Sequence, residues 1–432
     1  MDKRELETIV ADQREELEAK RRLKLIHRDE EDLIDFHSPQ AQVVIGVRRS
    51  GKSTLCYAAL TAHNIKFAYF NLDDERLLDL QSKDLNDLLE VLYKVYGDFE
   101  CLFIDEIQNI PEWYLFVNRL LRRGMRVLIT GSNAKLLSGE LATHLTGRHH
   151  TITLYPFSFK EYCLYKEIDI SSSSTKAIAE RRNAFDEYIM QGGFPELLSI
   201  RDKRAYIIDL VDSIIKRDIL LRFKIKHKAT FNKLSHNLLN ESPCILSYKN
   251  LKESFNIGSS HTVENYVRFL SQAYLLVGLH KFSSKSRQRL ASDKVYPIDV
   301  ALMNNREDAF KGKNLGLRLE TIVYLDLLRR YKPLGYDIYF FNEHSFECDF
   351  LVCNGNTVKM AIQVSYDISN EKTYKREIKG LIECAKKTKA QSLLLLTDHE
   401  HRDMEVSGFH ISIRPVYDYS LTPTSLRDGE TG

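Results

Sequence analysis

The chain has 432 residues, which at about 150 residues per domain predicts several domains, each with its own core, and excludes a miniature disulfide scaffold. Charged residues make up 28% and hydrophobic residues 43%, values that are typical of folded domains rather than disordered or fibrous chains. The 62 basic and 60 acidic residues leave a net charge of +2, which disfavours a protein whose main surface coats phosphate backbones, although a balanced total can hide a basic face.

The amino-terminal part of the sequence begins with a helical pattern and continues with alternating strands and helices. Residues 1 to about 32 place apolar residues at helical intervals between charges of both signs, which predicts an amphipathic helix. From Gln42 onward, short apolar runs alternate with helical stretches, and this predicts a parallel sheet covered on both faces. The runs are Val43–Ile45, Phe67–Phe70, Leu102–Ile104, Val127–Ile129 and Ile152–Leu154.

The segment after the first strand matches a phosphate-binding loop. Residues 46–54 read GVRRSGKST and fit the pattern GxxxxGK(S/T) between a strand and a helix. Glycines let the backbone wrap closely around phosphates, whose charge is bound by successive N–H groups and by the helix N-terminus. We expect ATP here, with Lys52 on its β- and γ-phosphates and Ser53 on Mg²⁺. The expected nucleotide contacts are Gly46, Arg49, Ser50, Gly51, Lys52, Ser53 and Thr54.

Polar residues follow two further strands of the predicted sheet. Asp105 and Glu106 end the strand that begins at Cys101, and ligands of open α/β sheets bind at such carboxyl ends. We expect Asp105 to hold Mg²⁺ through water and Glu106 to orient and deprotonate the attacking water. The next strand ends in Ser132 and Asn133, which are short enough to reach the γ-phosphate or its water, although such residues are also common in turns.

Arg148 precedes the fifth predicted strand and has two interpretations. It either supplies an arginine finger to the nucleotide site of a neighbouring subunit or is an ordinary surface residue.

The rest of the chain predicts a helical part followed by a second α/β part. Helical patterns dominate from about Phe159 to Leu279. Within them, a helix carries Val263, Tyr266, Val267 and Leu270 as a core stripe after a glycine turn. Further strands and helices then alternate; they are expected at 338–341, 350–352, 361–364 and 393–396, with helices at 315–331 and 371–388.

The ordered set of motifs resembles the ATPases that have an additional strand between their two nucleotide motifs, a group that includes the AAA+ class. More narrowly, the chain resembles prokaryotic AAA-domain ATPases that carry a C-terminal domain of uncharacterised function. Besides the nucleotide motifs, the resemblance rests on Pro156–Phe159, Gly192–Glu196, Lys216–Ile219 and Lys294–Asp299.

The resemblance implies an α/β fold with three domains. A P-loop NTPase domain with its N-terminal helix is expected over residues 1–165, and a helical lid with a winged-helix-like segment over 166–285. The winged-helix-like segment either binds DNA or serves packing or protein contacts. Such segments usually place their last helix in the major groove, but the outward face of this helix offers one arginine and one glutamate, which are poorly suited to binding phosphates. A smaller α/β domain is expected over 286–432.

The third domain resembles the restriction-endonuclease-like fold, with parts of the catalytic set replaced. Glu320 and Asp349 fit acidic positions, but Gln363 and Ser365 stand where active members have a glutamate and a lysine. Gln363 lacks the negative charge with which a glutamate would bind a hard cation such as Mg²⁺. Ser365 lacks the positive charge with which a lysine would stabilise the transition state. We therefore expect a domain that does not cleave nucleic acid; an active nuclease is the disfavoured alternative.

Two functions remain open from the sequence. The first is a magnesium-dependent ATPase that acts as a molecular switch on an unknown client, either a protein or DNA. The second is an ATP-regulated DNA-binding regulator with little turnover. The motifs also allow an oligomer.

The cysteines and the hydropathy pattern predict the cellular compartment of the protein. The seven cysteines are scattered and form no CxxC pair, which is typical of a reduced intracellular chain. No apolar run reaches the roughly 18 residues that span a bilayer, so we expect a cytoplasmic protein without membrane contact.

Overall fold

The structure is a computed structural model that describes residues 2–22, 24–132, 145, 147–283, 292–305, 314–343 and 346–423. The chain divides into two compact units, the first consisting of Met1–Pro156 with Gln272–Tyr274 and the second of Phe157–Ser271 with Leu275–Gly432. Asn133, named above as a candidate site residue, lies outside the described residues.

The first unit is a parallel α/β sheet with helices around it. Its helices are α1 (Lys3–Ala19), α2 (Lys52–Ala62), α3 (Leu85–Tyr96) and α4 (Trp113–Arg122). Its strands are β1 (Ala41–Ile45), β2 (Phe67–Asn71), β3 (Cys101–Asp105), β4 (Arg126–Gly131) and β5 (His149–Thr153). They form a sheet in the order β2-β3-β4-β1-β5, in which every described pair is parallel, as the apolar runs predict.

The sheet order places the motifs at one edge. β1 and β3 are buried along their whole length, which explains their continuous apolar sequence. Because the strands are parallel, their carboxyl ends share an edge, and this edge receives the loop after β1 and the polar residues after β3 and β4.

The N-terminal helix is shorter than the sequence pattern predicts. α1 buries Leu6, Ile9 and Val10 and packs against α3 and β2, but it ends at Ala19. Arg28 has extended backbone angles and is followed by the short 3-10 helix Asp29–Leu33. The physical reason is tertiary: the Arg28 side chain is buried against the loop after β1, and a continued helix would carry it away.

The second unit combines helices with a nine-stranded mixed sheet. Its helices are α5 (Phe159–Tyr165), α6 (Thr175–Gln191), α7 (Lys203–Ile214), α8 (Lys228–Glu241), α9 (Tyr248–Ser254), α10 (Ser260–Gln272), α11 (Leu315–Tyr331), α12 (Glu371–Thr388) and α13 (Val416–Tyr419). Its strands are β6 (Cys244–Ile245), β7 (Leu276–Lys281), β8 (Ser292–Pro297), β9 (Asp337–Glu343), β10 (Phe346–Asn354), β11 (Thr357–Val364), β12 (Ser392–Thr397), β13 (Arg402–Val406) and β14 (Phe409–Pro415).

The sheet of the second unit runs in the order β13-β14-β12-β11-β10-β9-β7-β8-β6. The pairs β7/β9, β11/β12 and β12/β14 are parallel, and the other pairs are antiparallel. The second α/β region predicted from the sequence is thus confirmed as a mixed sheet with helices. The division of this unit into domains at residues 285 and 286 stays a prediction.

The helical segment before β7 follows the predicted order. α8, α9 and α10 precede β7, and α10 buries Val263, Tyr266, Val267 and Leu270, which confirms the predicted core stripe. The winged-helix identity of this segment remains a prediction.

Two smaller findings complete the fold. All seven cysteines are free thiols. Over the described ranges, none of the helices combines the length and apolar character that crossing a membrane requires.

Candidate nucleotide site

The loop between β1 and α2 has the backbone of a tight phosphate cradle. Gly46 has φ +152°, and a Cβ there would lie 2.1 Å from the carbonyl oxygen of Leu154. Gly51 has φ +94° and caps α2, and Arg49 is also left-handed at φ +70°. The glycines of the motif are therefore needed for close approach and for backbone angles that residues with a Cβ rarely adopt.

Lys52 is a buried cation at the mouth of this loop. Its side chain is 4% exposed, and its Nζ donates to the carbonyl oxygens of Gly46 at 3.2 Å and Val47 at 3.0 Å. The Oγ of Ser50 is buried and has no hydrogen-bond partner among the described residues. A buried ammonium whose described hydrogen bonds go to neutral carbonyl oxygens and a buried hydroxyl without a partner both fit an anionic group with acceptor oxygens, such as a nucleotide phosphate.

Asp105 ends β3 as a buried carboxylate. Its Oδ1 accepts a hydrogen bond from the Thr130 hydroxyl, and its Oδ2 accepts one from the Tyr69 hydroxyl at 3.2 Å. Burial, with the nearby carboxylate, raises the pKa of Tyr69, so its phenol stays protonated and donates. The side chain is thus held in one orientation by residues from β2 and β4, the strands on either side of β3.

Glu106 is the most constrained residue of the site. It has left-handed backbone angles, φ 53° and ψ 47°, and its N–H donates to the Thr130 hydroxyl at 3.1 Å. Its Oε2 accepts hydrogen bonds from the Ser132 hydroxyl at 2.9 Å and from the Gln108 amide. A non-glycine residue in this conformation is uncommon and marks a position where the surrounding structure overrides local preference.

The charge of Glu106 is set by two opposing effects. Burial opposes ionisation, but the cations of Lys52 and Arg48 and the hydrogen bonds from Gln108 and Ser132 outweigh it and lower the pKa of the carboxyl group. The Oε1 atom lies 3.9 Å from Lys52 Nζ. Glu106 is therefore a carboxylate at neutral pH, which is the protonation state that a general base requires.

The structure brings most of the candidate residues together and leaves one apart. Ser53 and Thr54 lie in the first turn of α2, both half-buried, and Ser132 lies against Glu106. Arg148 is exposed at the start of β5, where its carbonyl oxygen accepts from the N–H of Ala41 at 2.9 Å. That position is the amino edge of the sheet, about 16 Å from the carboxyl edge for a five-residue strand.

Two contributors were missed by sequence reasoning. Arg28 is 4% exposed and donates to the carbonyl oxygens of Ser50 at 3.0 Å and Tyr155 at 2.8 Å. No sequence signal separates it from the other arginines of a mixed-charge segment. Gln108 offered a weak signal, since it is polar and stands two residues after Glu106 at the end of a strand.

The nuclease-like positions form a separate buried cluster in the second unit. Glu320 accepts hydrogen bonds from Lys294 at 2.5 Å and Tyr296 at 2.7 Å. Burial disfavours the charge of Lys294, but Glu320 and Asp349 outweigh it and raise the pKa of its ammonium. Burial and the charge of Glu320 raise the pKa of Asp349 well above its usual range.

Gln363 and Ser365, which stand at the two replaced positions, both form hydrogen bonds with nearby residues of the second unit. Gln363 accepts from the N–H of Asp349 at 3.3 Å and donates to Glu377 at 2.7 Å, while the hydroxyl of Ser365 donates to the carbonyl oxygen of Asp367 at 3.3 Å. The part of the chain that the structure describes holds no group of three or more histidine, cysteine, aspartate or glutamate side chains arranged to bind a metal ion. Gln363 thus bonds to both Asp349 and Glu377, and the lack of nuclease activity stays a prediction.

Comparison with known families assigns two segments of the chain. The model of the AAA domain matches residues 38–163, which contain the loop, Asp105, Glu106 and Ser132. The model of a domain of unknown function (DUF8612) matches residues 182–312.

Individual relatives extend over nearly the whole chain. An uncharacterised protein of Methanocaldococcus jannaschii is 34% identical over 421 residues, which cover 94% of this chain and 93% of the relative. An uncharacterised protein of Haemophilus influenzae is 30% identical over 404 residues, 88% of this chain and 95% of the relative. Among solved structures, the RuvB Holliday junction branch migration motor of Thermotoga maritima matches with 16% identity and a TM-score of 0.27, covering 55% of this chain and 82% of that chain. A TM-score this low assigns no activity.

Proposed function

Because the chain belongs to the family of prokaryotic AAA-domain proteins represented by these archaeal and bacterial relatives, we propose that it is a magnesium-dependent ATPase that acts as a molecular switch. The observation that carries the proposal is the meeting of Lys52, Asp105 and Glu106 at one edge of the parallel sheet, with Lys52 Nζ 3.9 Å from Glu106 Oε1. A buried cation beside an ionised base is the arrangement that phosphoryl transfer to water requires.

The loop binds the triphosphate of ATP in this proposal. Backbone N–H groups of the loop and the N-terminus of α2 bind the phosphate oxygens, and Lys52 exchanges its carbonyl partners for the β- and γ-phosphates. The Ser50 hydroxyl, which is buried without a partner among the described residues, is a further donor. Ser53 and Asp105 would hold Mg²⁺, Asp105 through water, and the ion supplies charge neutralisation on the phosphates.

Glu106 prepares the attacking water. Its carboxylate is ionised, and the hydrogen bonds from Ser132 and Gln108 fix the direction in which the remaining oxygen accepts. A general base contributes about a hundredfold or more when its geometry is fixed in this way. Ser132 is thus a positioning residue for Glu106.

Nucleotide state then changes what the protein binds. The client is a protein or DNA, and the site of action is the cytoplasm. If the active form is an oligomer, Arg148 serves a neighbouring subunit as an arginine finger, since it lies at the edge of the sheet opposite its own phosphate loop.

Steady-state phosphate release with Mg-ATP tests the proposal. We expect Lys52→Ala to lose nucleotide binding and turnover, and Glu106→Gln to keep binding but to lose turnover by about a hundredfold or more. Glu112→Gln is the matched control, because Glu112 is an exposed glutamate that also has left-handed backbone angles. Equal rates in all four proteins would contradict the catalytic assignment.

A further inference from the structure

Helix α12 in the second unit carries a basic face. Lys372, Lys375, Arg376 and Lys379 follow the spacing i, i+3, i+4, i+7, which places them on one side of a helix, and all four are exposed. The opposite side buries Ile378, Leu381, Ile382, Cys384 and Ala385 against the sheet. Residues 371–389 hold seven basic and three acidic side chains in a chain whose net charge is +2. We call the four exposed cations the α12 basic face.

The α12 basic face forms one wall of a cleft of about 610 Å³, whose other wall comes from β9 and β10. Gly380 makes this wall possible, because a Cβ there would lie 2.7 Å from the carbonyl oxygen of Glu347. The helix therefore sits close against β10, and its cations line the same cleft as Phe346 and Glu347 of that strand.

The charged side chains that line the cleft differ in whether they form ion pairs. Glu377 is bound by Arg376 at 2.5 Å, and Glu343 is bound by Lys387. Lys375 pairs at 2.6 Å with Glu371, but both side chains are more than 70% exposed, so this pair contributes little. Within the described residues, Lys372 and Lys379 lie within ion-pair distance of no carboxylate, although Lys379 is near enough to Glu383 to lower its pKa. The remaining carboxylate of the lining, Glu347, also interacts with the charges of Arg376 and Lys294.

We propose that the α12 basic face binds the phosphate backbone of duplex DNA. Lys372 and Lys379 are seven residues apart, about 10 Å along the helix, which matches about three nucleotide steps of one strand. The proposal is independent of the ATPase assignment, because it rests on a different unit of the chain.

The lining of the cleft favours a duplex over two other anionic ligands. Single strands are bound through stacking on exposed aromatic rings, but the ring that lines this cleft, Phe346, is half-buried with the Lys387 ammonium 5.3 Å from its centroid. Protein partners are usually anchored by an apolar side chain in a pocket, and apart from Phe346 and Gly380 the lining of this cleft is polar or charged. In the neighbouring cluster, Gln363 hydrogen-bonds with Asp349 and with Glu377. These groups are therefore already bonded to one another, and we expect the duplex to be bound without being cut.

Helix α10, the other candidate for DNA contact, is less suited. The guanidinium of Arg268 donates to Asn265 at 2.6 Å, and His261 lies 3.6 Å from Glu264. Its outward face therefore carries one cation that is already bonded and an acid beside it.

The test is fluorescence anisotropy of a labelled 30-base-pair duplex with the full chain, without nucleotide, over a series of salt concentrations. The double variant Lys372→Gln, Lys379→Gln should bind at least about tenfold more weakly at low salt, and the slope of log affinity against log salt should fall by about two. Glu347→Gln removes the opposing charge and should bind more tightly. Arg268→Ala is the matched control and should bind like the parent, as should Lys52→Ala, whose defect is expected in ATP binding and turnover, because this test contains no nucleotide.

Four results would overturn the proposal. The first is no duplex binding by the parent at low salt, and the second is unchanged affinity and slope in the double variant. The third is loss of duplex binding in Arg268→Ala instead. The fourth is competition by poly-glutamate as strong as that by unlabelled duplex, which would indicate an acidic protein partner. The substituted lysines are exposed, and thermal unfolding of each variant checks that the fold is intact.

Discussion

At the scale of single residues, Arg28 shows how one buried side chain fixes the nucleotide loop. Its guanidinium bonds a carbonyl of the loop, Ser50, and the carbonyl of Tyr155, which follows β5. These bonds tie the loop to the segment after β5. The same segment contains the Leu154 carbonyl oxygen, which leaves no room for a side chain at Gly46. A planar group with several donors can bond both oxygens at once, whereas a lysine ammonium cannot span them in the same way.

Arg28→Lys should therefore weaken both the fold and the site. Leaving buried carbonyls without a charged donor is expected to lower the free energy of unfolding by about 2 to 4 kcal/mol and to raise KM for ATP more than it lowers kcat. Urea unfolding and phosphate release measure the two effects. Arg126→Lys is the control, because Arg126 forms a surface ion pair with Glu100 at 3.0 Å and should change stability by less than about 1 kcal/mol. A variant at Arg28 as stable as this control would contradict the assigned role.

At the scale of elements, two sequence signatures of the second unit are bound to each other. The N–H of Gly193 donates to Asp299 Oδ2 at 2.9 Å, and the N–H of Ala301 donates to Oδ1 at 2.7 Å. A Cβ at position 193 would lie 2.1 Å from the carbonyl oxygen of Phe157. The segment after α6 and the segment after β8 are therefore joined through one buried carboxylate.

This carboxylate makes stability depend on pH. Burial raises the pKa of Asp299 from 3.8 to about 6, against the opposing hydrogen bonds from Ala301 and Gly193 and the charges of Arg329 and Arg318. Because the folded chain binds the proton more tightly than the unfolded chain, the stabilisation is complete below about pH 4 and is lost as the pH rises through about 6.

We expect the parent to lose about 2 kcal/mol of stability relative to Asp299→Asn between about pH 4 and 6.5. Chemical unfolding at a series of pH values measures this difference. Asp209→Asn, at an exposed position of α7, should follow the pH profile of the parent. Parallel profiles for the parent and Asp299→Asn would show that Asp299 does not titrate in this range.

At the scale of the whole molecule, the chain offers a probe for one unit alone. Its single tryptophan, Trp113, is buried in α4 of the first unit at 2% exposure, while circular dichroism reports both units. Tryptophan fluorescence therefore follows the unfolding of the unit that carries the candidate nucleotide site.

Nucleotide should stabilise this unit by mass action. At a free Mg-ATP concentration of about one hundred times Kd, the unfolding free energy followed by Trp113 in Glu106→Gln should rise by about 2.7 kcal/mol. Lys52→Ala, unable to hold the phosphates, should show no shift at the same concentration. An equal shift in both variants would place nucleotide binding outside the loop.

The sequence alone determined the features that depend on local pattern. Continuous apolar runs predicted the strands of the first unit, and the loop motif and the Asp105–Glu106 pair were placed correctly at strand ends, because burial on both faces and tight backbone turns restrict residue type position by position. The helices at 315–331 and 371–388 and the core stripe of α10 followed from periodicity in the same way.

Only the tertiary structure decided which distant residues meet. It ended α1 at Ala19 instead of near residue 32, buried Arg28 beside the loop, and placed Arg148 at the amino edge of the sheet. It also bonded Glu320 to Lys294 and left Lys372 and Lys379 without ion pairs among the described residues. A charged side chain can be solvated, paired or buried with the same local sequence, and long-range packing selects among these states because it sets the cost of removing the charge from water.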